Sequence, residues 1–275
     1  MRNIKIGFLG AGNMGEAILA GLIRKKIYLP QEIGITTAHT KRSRELQKKY
    51  NLRLFCSNRE LAGTTPILIL AVKPQQMSAV LKEIASTVKA RSLIITVAAG
   101  LDIKFYRHSL GDKIRLIRAM PNTPAKLGAG ITALYASGVS QRDRKTAYKI
   151  FSAVGKCLFI SKEGQMDAVT ALSGAGPAFV YLFLNALIEG GKKMGLPQET
   201  SKTLASQTLI GAGLLAEQGN RPLQTLITNV ASKGGTTEAG LRILHRYHFQ
   251  NIIEKTIEAA TKRGRELREE FGELT

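Results

Sequence analysis

An α/β domain with a mostly parallel sheet, followed by an all-helical domain, is the fold class this sequence predicts, and three observations predict it. Apolar β-like runs alternate with helical stretches up to about Ile160, which implies a parallel sheet covered on both faces. The β signal disappears from about Glu163. A glycine-rich turn sits at the first strand–helix junction, Gly10-Ala11-Gly12-Asn13-Met14-Gly15.

The chain opens on "IKIGFLGAGNMGEAILAGLIRKK", an apolar run that turns at glycines and takes up helical periodicity from Asn13. Further β-like runs follow: "EIGITT", "PILILAV", "SLIITVA", "KIRLIRAM", "GITALYA" and "KCLFI". Helical stretches stand between several of them, "QQMSAVLKEIASTV" and "RDRKTAYKIFSAV" being the clearest. Consecutive helices are then expected at 177–191, 199–217, 222–231, 236–247 and 250–271. The expected boundary lies near Gly164, with a nucleotide-binding domain at 1–164 and a helical domain at 165–275. Helices 177–191 and 199–217 are apolar around much of their circumference, so burial on more than one side is expected, and with it a homodimer.

Composition narrows the function classes. Hydrophobic residues make up 44% and charged residues 22%, as in folded globular proteins. The apolar run after Met1 breaks at Gly7, which leaves no adequate core for a signal peptide. The stretch "AFVYLFLNALIEGG" reads as too short to cross a bilayer and holds Asn185 and Glu189. Cys56 and Cys157 have no paired spacing for metal or redox chemistry, so a reduced, cytoplasmic protein without a metal is expected. The formal charge of +20 comes from scattered lysines and arginines rather than a block. It reads as solvated helix faces and attraction for small anions, and no nucleic-acid partner is expected.

Directly after a strand and opening a helix, G-x-G-x-x-G is a dinucleotide fingerprint, and the first domain is therefore expected to be of Rossmann type. The first glycine permits the turn, the second lets the backbone approach the pyrophosphate, and the third lets helix and strand pack closely. The helix N-terminus attracts the phosphates. Leu9, Gly10, Ala11, Gly12, Asn13 and Met14 are the expected cofactor residues here. The end of the second strand decides the cofactor's type. "ITTAHTKRSREL" has no acid between Glu32 and Glu45, where an NAD-binding chain would hold both ribose hydroxyls with one. It offers His39, Lys41, Arg42 and Arg44 instead, which suit a 2′-phosphate, so NADPH is expected over NADH, with Lys41 and Arg42 reading the phosphate. "AVKPQQM" ends another strand: Pro74 starts the next helix, and Lys73 faces the ligand crevice. "AMPNTPA" is a third polar, rigid strand end.

The segments "GFLGAGNMGEAI", "AVKPQ", "AMPNTPA", "DAVTALSGAGPAF" and "SKGGTTEAGL", in this order and at these separations, resemble pyrroline-5-carboxylate reductases over essentially the whole chain. The resemblance implies a Rossmann domain followed by a helical domain that interlocks with a second copy, and leaves a higher assembly of dimers open. It implies reduction of 1-pyrroline-5-carboxylate to proline with NADPH. It assigns the glycine–threonine loop, Ser232, Gly234, Gly235, Thr236 and Thr237, to the substrate carboxylate through backbone N–H groups. It makes Thr237 the residue that hydrogen-bonds the ring nitrogen, and it places Glu163 and Asn229 around the same pocket. Asn58, Ala71, Val72, Lys73 and Pro74 match cofactor-side positions, with Ala98 and Ala99 at the mouth. The loop chemistry agrees, since adjacent glycines allow close approach and a helix start favours an anion.

Two departures stand out: Lys233 where the family usually has proline, and Ala175 where it often has serine. Losing the proline makes the loop costlier to order. Alternative readings are a β-hydroxyacid dehydrogenase-like enzyme, another imine reductase, or a non-catalytic basic NADP-binding protein. The first needs an acid–base lysine on the first long helix of the second domain, and Pro177–Gly191 contains none.

Overall fold

The structure, a computed structural model, describes residues 3–219 and 221–272. It divides into two compact units, one reaching Ala175 and taking in the chain from Glu258 onward, the other Gly176–Ile257.

The first unit is built on one eight-stranded sheet, ordered β3-β2-β1-β4-β5-β6-β7-β8. Its strands are β1 (Ile6–Leu9), β2 (Ile33–Thr36), β3 (Arg53–Leu54), β4 (Ile67–Leu70), β5 (Leu93–Thr96), β6 (Arg115–Pro121), β7 (Gly130–Ala136) and β8 (Gly155–Phe159). All pairs are parallel except β6 with β7. Between them run α1 (Asn13–Arg24), α2 (Thr40–Tyr50), α3 (Asn58–Thr64), α4 (Pro74–Ile84), α5 (Ile103–Leu110) and α6 (Gln141–Phe151).

The period-2 geometry of the strands sends alternate side chains to opposite faces. Ile6, Phe8, Ile33, Ile35, Ile69, Ile95 and Ile117 pack with residues of α1, α2 and α6. Leu9, Leu68, Leu70, Ile94 and Leu116 pack with α3, α4 and α5. Both faces are covered, which is why these strands read as unbroken apolar runs. Each fully buried side chain of this size contributes about 1.5–3 kcal/mol. The sheet thus holds the carboxyl ends of β1, β2, β4 and β5 along one edge, with β1 central and the strand order changing direction between β1 and β4. That switch point is where an open α/β sheet leaves a ligand crevice.

After β8 every element is helical: α7 (Gln165–Val169), a π-helical turn over Thr170–Gly174, α8 (Gly176–Lys193), α9 (Gln198–Gln218), α10 (Leu223–Val230), α11 (Thr236–Arg246) and α12 (Phe249–Gly272). The strand signal ends at Phe159, but packing divides the chain at Ala175, and the last turns of α12 return to the first unit. There Arg268 pairs with Asp167 at 3.1 Å and Phe271 buries against the α5 side of the sheet.

One expectation needs correction. The apolar stretch around α8 lies in a helical run, Gln165–Lys193, of 29 residues, which is long and apolar enough to cross a membrane by length and composition. The π turn carries the helix through Gly174, where the sequence pattern ends it.

In the second unit α8 packs on α9 closely enough that a Cβ on Gly191 would lie 2.8 Å from Ser201 Oγ. No residue of α8, α10 or α11 is buried. Tyr181, Leu182, Leu204, Leu215, Leu223 and Val230 are all more than half exposed. An apolar face this extensive on a single chain marks an association surface.

Candidate active site

The glycine turn is shaped by its neighbours across the sheet. Gly10 sits at φ +83°, and a Cβ there would lie 2.8 Å from both Ala71 O and Val72 Cγ1. Ala71 N donates to Leu9 O and Gly10 N to Thr36 O, so the ends of β1, β2 and β4 are tied together under the turn. A Cβ on Gly15 would lie 2.9 Å from Gly10 O, which locks α1 close to the turn. Gly12 differs: a Cβ there would meet nothing within 4 Å. Gly12 is also the N-cap of α1 and supplies no side chain to cap it, so the helix start faces open space with its N–H groups uncapped. Leu9 and Ala11 are buried, Asn13 is exposed and Met14 half-buried, so Leu9 and Ala11 serve through backbone.

At the end of β2, Thr37 Oγ1 donates to His39 O at 2.8 Å and lies 2.7 Å from Ser43 Oγ. His39 is the N-cap of α2 without a capping side chain. Lys41 and Arg44 are exposed. Arg42 is engaged: it pairs with Glu16, donates from Nε to Ala11 O at 3.3 Å, and lies 3.6 Å from Glu45. Glu16 also accepts from Lys49 Nζ at 2.8 Å and Tyr50 OH at 2.9 Å. Burial alone would raise the Glu16 carboxyl, but hydrogen bonds from Lys49, Arg42 and Tyr50 bring it from 4.5 down to about 2. Sequence reasoning missed Glu16, although its place directly after the third glycine is a signal.

Asn58 Oδ1 accepts from Thr36 Oγ1 at 2.6 Å, and Asn58 Nδ2 donates to Glu83 at 2.7 Å, so this amide is held under the end of β2. Lys73 is the exposed N-cap residue of α4 and Pro74 its first residue, with Val72 half-buried before them. Ala98 is buried and Ala99 half-buried beyond β5, with Ala98 N donating to Thr96 Oγ1. A glycine turn at positive φ, an empty Cβ direction at the helix start and the exposed cations Lys41 and Arg44 after β2 together fit a phosphorylated dinucleotide.

The second unit carries the glycine–threonine loop. Gly234 has φ +74°, a left-handed turn that glycine adopts without strain. Its N–H donates to Glu238 Oε2 at 2.5 Å, and Gly235 N donates to Ser232 O at 3.0 Å. Both glycine N–H groups, expected to face an anion, are thus used within the loop. The groups an α-helix leaves without an internal partner here are the N–H of Thr236, Thr237 and Glu238, because Gly235 is the N-cap of α11. The N-cap residue, a glycine, supplies no capping side chain. Asn229 is exposed in the last turn of α10, and Ser232 and Lys233 are exposed beside the glycines.

This chain is 42% identical to a pyrroline-5-carboxylate reductase of Synechocystis sp., over 96% of its own length and 98% of the relative's. The chain belongs to the pyrroline-5-carboxylate reductase family. Residues 163–267 match the family model described as pyrroline-5-carboxylate reductase dimerisation, and residues 5–100 match the one described as NADP oxidoreductase coenzyme F420-dependent. A solved pyrroline-5-carboxylate reductase from Coxiella burnetii superposes with a TM-score of 0.90 at 33% identity, covering 97% of this chain and 99% of that one. A Plasmodium falciparum pyrroline carboxylate reductase solved with NADP bound gives 0.87 at 34% identity, covering 98% and 99%.

In this pyrroline-5-carboxylate reductase, Glu163 has partners that its sequence context does not show. The structure holds this residue in the first unit, where Oε1 accepts from Ile103 N at 2.8 Å and from Arg118 at 2.9 Å. Arg118 is buried, and its guanidinium fixes the carboxylate against the start of α5. Its position within "RAMPNTP" was the only available signal, and the sequence pattern cannot show its partner.

Proposed function

We propose that this chain reduces 1-pyrroline-5-carboxylate to L-proline with NADPH, the last step of proline biosynthesis. The observation that carries the reading is the loop before α11, a helix start whose N-cap is a glycine and whose first two residues are threonines. A non-catalytic NADP-binding protein has no need of it.

The N–H groups of Thr236, Thr237 and Glu238, with the α11 dipole behind them, hold the substrate carboxylate. Gly234 and Gly235 shape the approach, while Ser232 and Asn229 line it. The Thr237 hydroxyl orients the ring nitrogen of the imine and assists its protonation. An imine nitrogen is itself basic and arrives protonated, so the chain needs no strong acid. His39 and His108 lie in the first unit, His245 in the last turn of α11 and His248 in the turn after it, away from the start of that helix. On the cofactor side, the glycine turn and the α1 start hold the pyrophosphate, Asn58 stands by the ribose, and the α2 start takes the 2′-phosphate. When bound, reduced nicotinamide supplies the hydride.

In functional terms we divide the chain near Gly164, with the cofactor domain before it and the substrate and dimerisation domain after it. The exposed apolar faces of α8, α9 and α10 are covered by a second copy in a cytoplasmic homodimer, which leaves room for an assembly of dimers. Light scattering at micromolar concentration should therefore give a dimer or a multiple of one. A fully active monomer would refute it. The catalytic reading is tested by NADPH oxidation on adding the imine. Purified protein that ignores it with either cofactor, yet reduces the keto form of a hydroxyacid, would make the reading wrong.

A further inference from the structure

The basic start of α2 contains three cations close in sequence, Lys41, Arg42 and Arg44, but the structure treats Arg42 differently from the other two. All three guanidinium nitrogens of Arg42 face protein acceptors: Nε faces Ala11 O, one terminal nitrogen Glu16, and the other Glu45. With Glu16 and Glu45 beside Arg42 and Lys49, the cluster is close to neutral, which weakens the attraction Arg42 would otherwise exert on a doubly charged phosphate. Lys49 and Tyr50 secure the second oxygen of Glu16, so the carboxylate is anchored from both sides. Ala11 belongs to the glycine turn, which places the guanidinium beside the path of the nucleotide. A guanidinium pinned at its edges offers its flat faces, which stack on aromatic rings.

We infer that Arg42, set by Glu16 as a positioning residue, serves the adenosine half common to NADPH and NADH, and that discrimination between the two falls on Lys41. This rests on the dinucleotide reading above and replaces the expectation that Lys41 and Arg42 both read the 2′-phosphate. Glu16 connects the two halves of the site. It stands one residue after the last glycine of the turn and reaches α2 at positions 42, 49 and 50. Removing it releases Arg42 from its fixed plane.

The test is equilibrium binding of NADPH and of NADH, without substrate, to wild type and to the Arg42→Ala, Arg42→Lys, Glu16→Gln and Lys41→Ala variants. Arg42→Ala should weaken both dinucleotides by a similar factor, on the order of tenfold. Arg42→Lys should behave like Arg42→Ala, because lysine keeps the charge but not the planar, three-edged fit. Glu16→Gln keeps the shape of the side chain and should likewise weaken both cofactors together. Lys41→Ala should weaken NADPH about tenfold or more beyond its effect on NADH, as loss of a charge-assisted bond to phosphate requires. Loss of NADPH alone in Arg42→Ala, rescued by Arg42→Lys, would overturn the inference while leaving the dinucleotide reading intact. NADPH affinity above wild type in Glu16→Gln would also overturn it, since Glu16 would then only neutralise a phosphate reader. Wild-type protein that binds neither dinucleotide would overturn both readings.

Discussion

Gly12→Val should cost this protein little stability, no more than the change of N-cap residue entails, and abolish its binding of nicotinamide dinucleotides. The two halves of that expectation come from one geometric fact, that a Cβ at this position meets no protein atom within 4 Å. Its backbone, at φ −69° and ψ −163°, is extended and open to any residue. The valine side chain would stand in the space the pyrophosphate needs at the start of α1, so affinity should fall by roughly a hundredfold or more. Gly10→Ala supplies the contrast. There the left-handed φ and the 2.8 Å approach to Ala71 O put the cost into the fold itself, about 1–3 kcal/mol from backbone strain before the clash is counted. Thermal melts beside cofactor titrations separate the two variants. A Gly12→Val protein that binds NADPH as well as wild type would remove the glycine turn from the cofactor site.

Thr237→Ala should lower turnover while preserving binding of a proline-like carboxylate inhibitor. The N–H groups at the start of α11 stay in place, and the helix loses no cap because Gly235, not a threonine side chain, occupies the N-cap. Stability should therefore hold. Acid–base assistance from a positioned side chain is typically worth ~10²–10⁴-fold, and an imine that arrives protonated needs less, so the loss should lie at or below the lower end. Thr236→Ala should do less, its part being a backbone contact. Steady-state kinetics and inhibitor titration on both variants check the contrast. Wild-type turnover in Thr237→Ala would leave the mechanism without its catalytic side chain.

What the sequence made legible was what depends on spacing along it. The turn from Gly10 to Gly15 follows from residue order, because a strand, a tight turn and a helix start are local events. The helices of the second unit follow from a 3.6-residue period sustained over many turns; α11 was expected at 236–247 and spans Thr236–Arg246. Elements too short to show a period escaped: β3 has two residues and α3 seven. The π turn at Thr170–Gly174 escaped because glycines there read as a stop, and with it went the length of the helical run that ends at Lys193.

Within the candidate site, residue types were legible and hydrogen-bond partners were not. Arg42 reads as one cation of a basic run, and the pairing with Glu16 left no local trace because Glu16 lies 26 residues earlier. Gly234 and Gly235 read as donors to a ligand, and their N–H partners within the chain, Glu238 and Ser232, could not be seen from the sequence. Arg118 was invisible because its meaning depends on Glu163, 45 residues later.

A product balance with purified protein, NADPH and 1-pyrroline-5-carboxylate follows NADPH consumption and L-proline formation together. One proline should form for each NADPH oxidised, with a higher kcat/KM for NADPH than for NADH. NADPH consumed without proline, or no consumption at all by dimeric, cofactor-binding protein, would contradict the proposed reaction.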